Sequence, residues 1–294
     1  MRPARETAPT DLQTIPRMPP WVTSARAETP EDVAFLSGAA LAHLHLVLAR
    51  NTTPQALLRE RLALRAAEAC VAFAGRSERA GALRDALTFV PDGASPGPAG
   101  EVWLAWRRAV DRPLSVRTLH RALPDLDAAC IADWRDAGQG APLARAATVL
   151  ETVLQARPRS EAAALILADA ALAEALGWDH LVPLLAASLK RADLRQRGEA
   201  LRLVCHRAVT ASAIDAHRLA ADLGRRAARL REVAPKLRAK GAAEAVEMFL
   251  TRDAVAPSAL PLPDRAARRL CDRLVALGAV RELSGRDTFR LYGV

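Results

Sequence analysis

Arg265, Arg268, Arg269 and Arg273 crowd into the stretch PDRAARRLCDRLVALGAVRELSGRDTFRLY near the end of the sequence. Stepped at 100° per residue along a helix, they fall with Asp272 inside one sector of about 140°. Ala267, Leu270, Cys271, Leu274 and Leu277 take the opposite side. Guanidinium groups arrayed this way can pair with guanine O6 and N7 in a major groove or neutralise phosphates. Arg286 and Arg290 follow shortly after, and Arg225, Arg226, Arg229, Lys236, Arg238 and Lys240 form a dense basic tract upstream. These side chains are the candidate DNA-binding residues.

Other residues with ligating or catalytic chemistry are poorly spaced for it. His43 and His45 would point about 200° apart on a helix and cannot share a metal ion. Cys205, His206 and His217 fall short of the four ligands of a structural zinc site. GASPGPAG at 93–100 has the glycines of a phosphate loop without its GK[ST] ending or a preceding strand, so it reads as a linker. Asp125 with Asp127, and Asp133 with Asp136, are carboxylate pairs whose spacing fits solvated helix faces equally well. Trp103 and Trp106 beside Arg107 and Arg108 suggest a stacking platform, yet so few aromatic residues favour a core position. No catalytic residues, metal or cofactor are expected, and the chain is not read as an enzyme.

The charge is distributed unevenly. Residues 1–189 hold 20 basic and 21 acidic groups, whereas residues 190–294 hold 22 and 12, so the whole excess of +9 lies in the last third. Such segregation suits a polyanionic partner. Within that third, residues 190–240 hold 14 basic and 5 acidic groups, and residues 241–294 hold 8 and 7. Arg outnumbers Lys 39 to 3, a preference that codon usage can produce without explaining the asymmetry. Cys70, Cys130, Cys205 and Cys271 form no CxxC pair and read as buried free thiols in a reducing cytoplasm. MRPARETAPTDLQTIPRMPPW lacks an apolar leader core. Val33 to Ala49 is interrupted by Ser37, Gly38, His43 and His45, which favours a buried helix over a membrane span.

Nearly everything after residue 28 has helical periodicity, so the expected fold is mainly α. Residues 1–28, rich in Pro, Arg and Thr, read as a disordered arm. A helical body follows over 29–240, opened by a capping Thr29 and Pro30. Helices are expected over 30–50, 54–75, 77–89, 99–110, 115–122, 124–137, 142–156, 160–176, 179–190, 193–209, 212–233 and 235–250. Residues 241–294 then follow the order of a winged helix-turn-helix. A helix ends near Leu250, and a small second helix fits 253–260. The arginine-faced helix spans 264–277, with Asp264 as cap and Gly278 as terminator. A two-stranded hairpin (279–283 and 288–292) turns at SGRD, with Phe289 and Leu291 on one strand face and Arg286 at the tip.

Arg269, Leu274, Gly278, Val280, Glu282, Gly285, Arg290 and Tyr292 resemble the winged-helix tail of Fic-type bacterial proteins, although no HPFxxGNG-like motif accompanies them. Over nearly its full length the sequence also resembles an uncharacterised family of all-helical, often plasmid-borne bacterial proteins. The resemblance rests on GAALAHL, RLALRAAEACVAFAGR, PGPAGEVWLAWRR, APKLRAKGA and RELSGRDTFRLYG. It implies context and no mechanism. The expected function is binding of double-stranded DNA in transcriptional control or mobile-element maintenance, with the helical body offering a homodimer or partner site. The alternative is a scaffold protein whose winged unit docks another protein.

Overall fold

The computed structural model describes residues 16–24, 26–91 and 93–294. Among them are twelve α-helices and one two-stranded antiparallel hairpin. A short α1 (Pro20–Ser24) leads to α2 (Pro30–Leu48), α3 (Gln55–Phe73), α4 (Ala80–Thr88), α5 (Gly97–Asp111), α6 (Val116–Ala122) and α7 (Ala128–Asp136). Then come α8 (Pro142–Ala156), α9 (Glu161–Ala175), α10 (Gly198–Val233), α11 (Ala242–Thr251) and α12 (Asp264–Ala276), followed by β1 (Arg281–Glu282) and β2 (Tyr292–Gly293). The mainly helical architecture and the terminal hairpin match the expectation from periodicity.

Local chemistry explains the boundaries. Thr29 Oγ1 accepts the Asp32 amide while the Asp32 carboxylate accepts the Thr29 amide, closing a reciprocal cap on α2. α9 lies at the centre, with every residue from Ala164 to Ala173 buried. It packs on α8, while α10 crosses α2 and α8, and α3 packs on α5. Trp103 and Trp106 on α5 are 3% and 0% exposed, so they are core residues and no stacking platform. Burial pushes the thiols of Cys70, Cys205 and Cys271 up to about 12, which leaves them protonated. Cys130 departs from expectation: α7 buries only Ile131, and Cys130 faces solvent.

Several expected boundaries are corrected. The arm assigned to 1–28 lies outside the described residues up to residue 15. Among its described residues, Met18 and Val22 are buried, and the Pro16 carbonyl oxygen meets Nε2 of both His43 and His217. The helices expected over 193–209 and 212–233 are one continuous α10, since Thr210-Ala211-Ser212 contains no breaker. The helix expected over 235–250 starts late, at Ala242, after the turn at Gly241. No helix forms over 179–190. Pro183 lacks an N–H and pushes Val182 out of the helical region, and the carboxyl oxygens of Asp169 on α9 accept the amides of Leu184 (3.2 Å) and Leu185 (3.1 Å).

That buried carboxyl has a measurable consequence. Burial raises the pKa of Asp169 to about 8, against the two amides that lower it. A folded value above the unfolded 3.8 means that the folded state holds the proton more tightly. Its stabilising contribution is therefore full below the unfolded value and is lost as pH rises through the folded one. Asp169→Asn keeps an acceptor for both amides without the charge, so its stability relative to the unsubstituted protein should increase from acidic to alkaline pH. Asp169→Ala should cost about 2–4 kcal/mol at neutral pH by orphaning two buried amides. Urea denaturation across pH checks both.

Candidate nucleic-acid interface

α12 is strongly amphipathic. Ala267, Leu270, Cys271 and Leu274 are buried against the protein, and Arg265, Arg268, Arg269 and Arg273 are exposed on the opposite side. None of these four arginines is in an ion pair among the described residues; Arg269 Nε donates to the Arg265 carbonyl of its own helix. Asp264 and Asp272 share the exposed side and dilute its charge. The expected capping role of Asp264 is corrected: Pro263 occupies the cap and Asp264 is the first helical residue, with no side-chain cap bond. Its carboxylate still lies in the first turn, where the helix dipole favours it. Gly278 terminates the helix at φ +64°, a left-handed conformation that glycine takes without penalty.

The elements around α12 are smaller than expected. The small second helix is a single 3₁₀ turn, Pro257–Ala259. The hairpin pairs only Arg281 with Gly293 and Glu282 with Tyr292, and Val255 forms an antiparallel bridge to Tyr292 from the other side. Residues 288–291 do not continue the strand. Phe289 takes φ +52° and points to solvent (69% exposed), while Leu291 is buried, so the two do not share a strand face. The Glu282 carboxylate organises the turn by accepting from the Ser284 amide and hydroxyl and from the Gly285 amide.

The arginines of the hairpin turn are occupied by structure. Arg286, expected at the tip as a DNA-binding residue, forms a two-pronged pair with Asp85 of α4 (2.6 and 2.7 Å). Its guanidinium also lies over the Phe89 ring at 5.3 Å, and Phe89 meets Phe289 edge-on at 5.4 Å. Arg290 bonds to the Arg286 carbonyl (3.0 Å) and reaches Asp287 (3.4 Å). The hairpin turn is thus tied to the helical body, which projects an acid and an aromatic ring that neighbouring sequence does not reveal.

The upstream basic tract lies beside α12. Arg229 Nε donates to the Leu277 carbonyl at the C-terminal end of α12 (3.4 Å). At the other end, a β-carbon added to Gly241 would collide with the Pro261 carbonyl oxygen, which places the 236–241 turn against the entry to α12. Lys236, Arg238 and Lys240 are exposed without ion pairs among the described residues. Arg225 and Arg226 pair with Asp222 (3.2 and 2.8 Å), and Arg229 pairs with Glu232 (3.3 Å). Exposed pairs of this kind are worth about 0.5 kcal/mol, so they barely restrain the guanidinium groups.

A family model described as a protein of unknown function, DUF1403, matches residues 6–294. The chain belongs to the DUF1403 family. No curated protein matches the sequence. The DUF1403 match spans both the helical body and the terminal hairpin, and the structure supplies a physical counterpart: buried side chains of α11 and α12 join the same hydrophobic core as the body. The turn at 240–241 therefore separates elements without separating cores.

A buried ionic seam in this DUF1403 chain also crosses that boundary. Asp253, which follows α11 and is 2% exposed, pairs with Arg61 of α3 and with Arg84 of α4 (2.6 Å). Its backbone amide donates to Glu60 (2.7 Å), whose other carboxylate oxygen pairs with Arg107 (2.7 Å). Arg61 also donates to the carbonyls of Asp253 (3.3 Å) and Val294 (3.4 Å). Sequence reasoning missed this cluster. The one signal for it was Arg59-Glu60-Arg61 interrupting the apolar ladder of α3, a run of three charges that cannot all face solvent on one helix.

The other chemical candidates are dispersed. His45 Nδ1 accepts from the Trp178 indole (2.9 Å), His43 turns toward Pro16, and His206 Nδ1 meets Ser37 Oγ (2.6 Å). Among the described residues, no three His, Cys, Asp or Glu side chains converge on one point.

Proposed function

We propose that this protein binds double-stranded DNA through residues 241–294 acting as a winged helix-turn-helix, in transcriptional control or maintenance of a mobile element. The observation that carries the proposal is the exposed face of α12, where four guanidinium groups have no carboxylate partner among the described residues. An α-helix fits the width of a major groove, and arginine is the side chain most often used to read guanine there. The element order supports the reading: α11, a bridge residue at Val255, a one-turn helix, α12, and two strands whose second member also pairs with Val255. Lys236, Arg238 and Lys240 are positioned to meet phosphates beside the helix. Arg286 holds the wing against α4 and Arg290 bonds within the wing, so both contribute less to DNA binding than their sequence positions suggest.

The alternative is protein docking through the same unit. It is favoured by the cleft of about 540 Å³ between α12 and the wing, whose lining mixes Asp264, Arg268, Asp272 and Asp287 with the exposed Phe289.

Titrating the full chain against generic duplex at several salt concentrations separates the two. DNA binding should weaken steeply with salt, with a log–log slope of about −0.9 per phosphate neutralised. Absence of binding at low salt would overturn the DNA reading.

A further inference from the structure

We propose that the helical body binds a small organic carboxylate in the cleft between the end of α2, the start of α3 and residues 177–182, with Arg59 as its anchor. The site is separate from α12 and does not depend on the DNA reading. Arg59, near the start of α3, is half-buried. Of its five N–H groups, only Nε has a partner among the described residues, the Val110 carbonyl at 3.3 Å. No carboxylate among those residues forms an ion pair with it. Asp111, the acid whose attraction it feels, is engaged by Arg121 at 2.9 Å. Burial pulls the Arg59 pKa down, and that attraction offsets only part of the effect. A guanidinium withdrawn from water is ordinarily paired, because leaving it alone is costly. Arg59 instead borders a cleft of about 240 Å³.

The other walls add donors and an apolar slot. The Trp178 indole donates to Nδ1 of His45 at 2.9 Å. Neutral His45 therefore carries its hydrogen on Nε2, and no residue among those described accepts it. His180 is half-buried, and its imidazole also lacks a hydrogen-bond partner among the described residues. Burial first, then the charge of Arg59, hold its pKa below the usual histidine value against the pull of Asp179 and Asp111. An anion in the cleft would relieve both Arg59 and His180. Leu48, Val182 and Trp178 line the remainder. The walls are fixed before any ligand arrives: Gln55 Nε2 donates to the Val47 and Arg50 carbonyls (3.3 and 3.0 Å), and the Leu114 amide donates to the Asp179 carbonyl (2.7 Å).

Charge and size select the ligand. In the lining, Arg59 is the one permanent cation and Asp179 the one carboxylate. One negative charge therefore suits the cleft better than a doubly charged phosphate. A carboxylate also matches the fork of a guanidinium. At about 30 Å³ for each water-sized group, the space holds about eight of them, the size of benzoate. A metal ion fits less well, since among the described residues His45, His180 and Asp179 do not converge on one point. The second hollow that Arg59 borders has Glu60 and Asp111 in its lining, two acids that disfavour an anion there.

Isothermal titration calorimetry of the full chain with benzoate is the test. The dissociation constant should be about 0.1–1 mM, as expected for a ligand of this size. Benzamide, of the same shape without the charge, and inorganic phosphate should each bind about tenfold more weakly or worse. Arg59→Gln should weaken benzoate by about tenfold or more, with an unchanged circular-dichroism spectrum. The unsubstituted chain offers a second readout. As pH falls from about 8 to about 6, affinity should rise, because a bound carboxylate raises the His180 pKa and a proton is taken up. The charged and titratable groups around His180 are Arg59, Asp179 and Asp111, with His45 in the same lining. His180→Asn should flatten the dependence. The proposal is overturned by no binding of benzoate at about 10 mM, by benzamide or phosphate binding as tightly as benzoate, by a folded Arg59→Gln chain with undiminished affinity, or by affinity that does not rise as pH falls.

Discussion

Asp253→Ala is expected to lower stability by about 3–5 kcal/mol, the cost of leaving buried charges unpaired. Arg61 and Arg84, with side chains 8% and 13% exposed, converge on this one carboxylate. Burial pulls the Arg61 pKa down, and the Coulombic attraction of Asp253 is what opposes it. Removing the acid strands two guanidinium groups. It also weakens the loop that carries Val255 and therefore the bridge to Tyr292. For a chain of this size the deficit corresponds to a fall of roughly 10 °C in Tm. Scanning calorimetry provides the measurement, and limited proteolysis should show earlier cleavage within 241–294. Two comparisons give the result its meaning. Asp222→Ala, which breaks exposed pairs with Arg225 and Arg226, should cost less than about 1 kcal/mol. Replacing Arg61 and Arg84 with methionine in the Asp253→Ala background should recover part of the stability, since apolar groups of similar volume can substitute for a buried pair. A shift no larger than that of Asp222→Ala would show that the seam contributes little.

Substituting Arg265, Arg268, Arg269 and Arg273 together with glutamine should reduce duplex affinity by about a thousandfold or more. Each arginine paired bidentately with guanine contributes about 1–3 kcal/mol, and each phosphate no longer neutralised takes about 0.9 from the salt slope. The fold should survive, because none of the four is buried or ion-paired among the described residues. Replacement of Arg225 and Arg226, at the flank, should cost no more than about tenfold and act uniformly across sequences. Arg286→Gln should behave differently again: it severs the pair with Asp85, so it should loosen the hairpin more than it lowers duplex affinity. Mobility-shift titrations of the three variants rank these effects. An undiminished affinity in the fourfold variant would remove α12 from the interface.

The amphipathic pattern of α12, the Gly278 stop and the Thr29 cap are legible in sequence because each is set by neighbours within a few residues. The same holds for the apolar periodicity that buries Trp103 and Trp106, and for the arginine sector, whose exposure follows from the leucines opposite. Expectations failed where a distant group intervened. The segment 179–190 has helical composition, but Pro183 and the carboxyl oxygens of Asp169 divert its amides. The Arg286 tip looks free until α4 brings Asp85 and Phe89 to it from some two hundred residues away in sequence. Phe289 and Leu291 alternate like strand neighbours, yet the turn built on Glu282 sends Phe289 outward.

Local sequence therefore determined the helical class of this protein, the face that α12 turns outward and the arginines displayed on it, since helix periodicity and capping act over one or two turns. Tertiary structure alone decided which charges remain open to a partner. Arg61, Arg84 and Arg286 are bound to Asp253 and Asp85, while Arg265, Arg268 and Arg273 meet no acid among the described residues. Pairing depends on which distant carboxylates the packed core brings within about 4 Å, a distance that spacing along the chain does not encode.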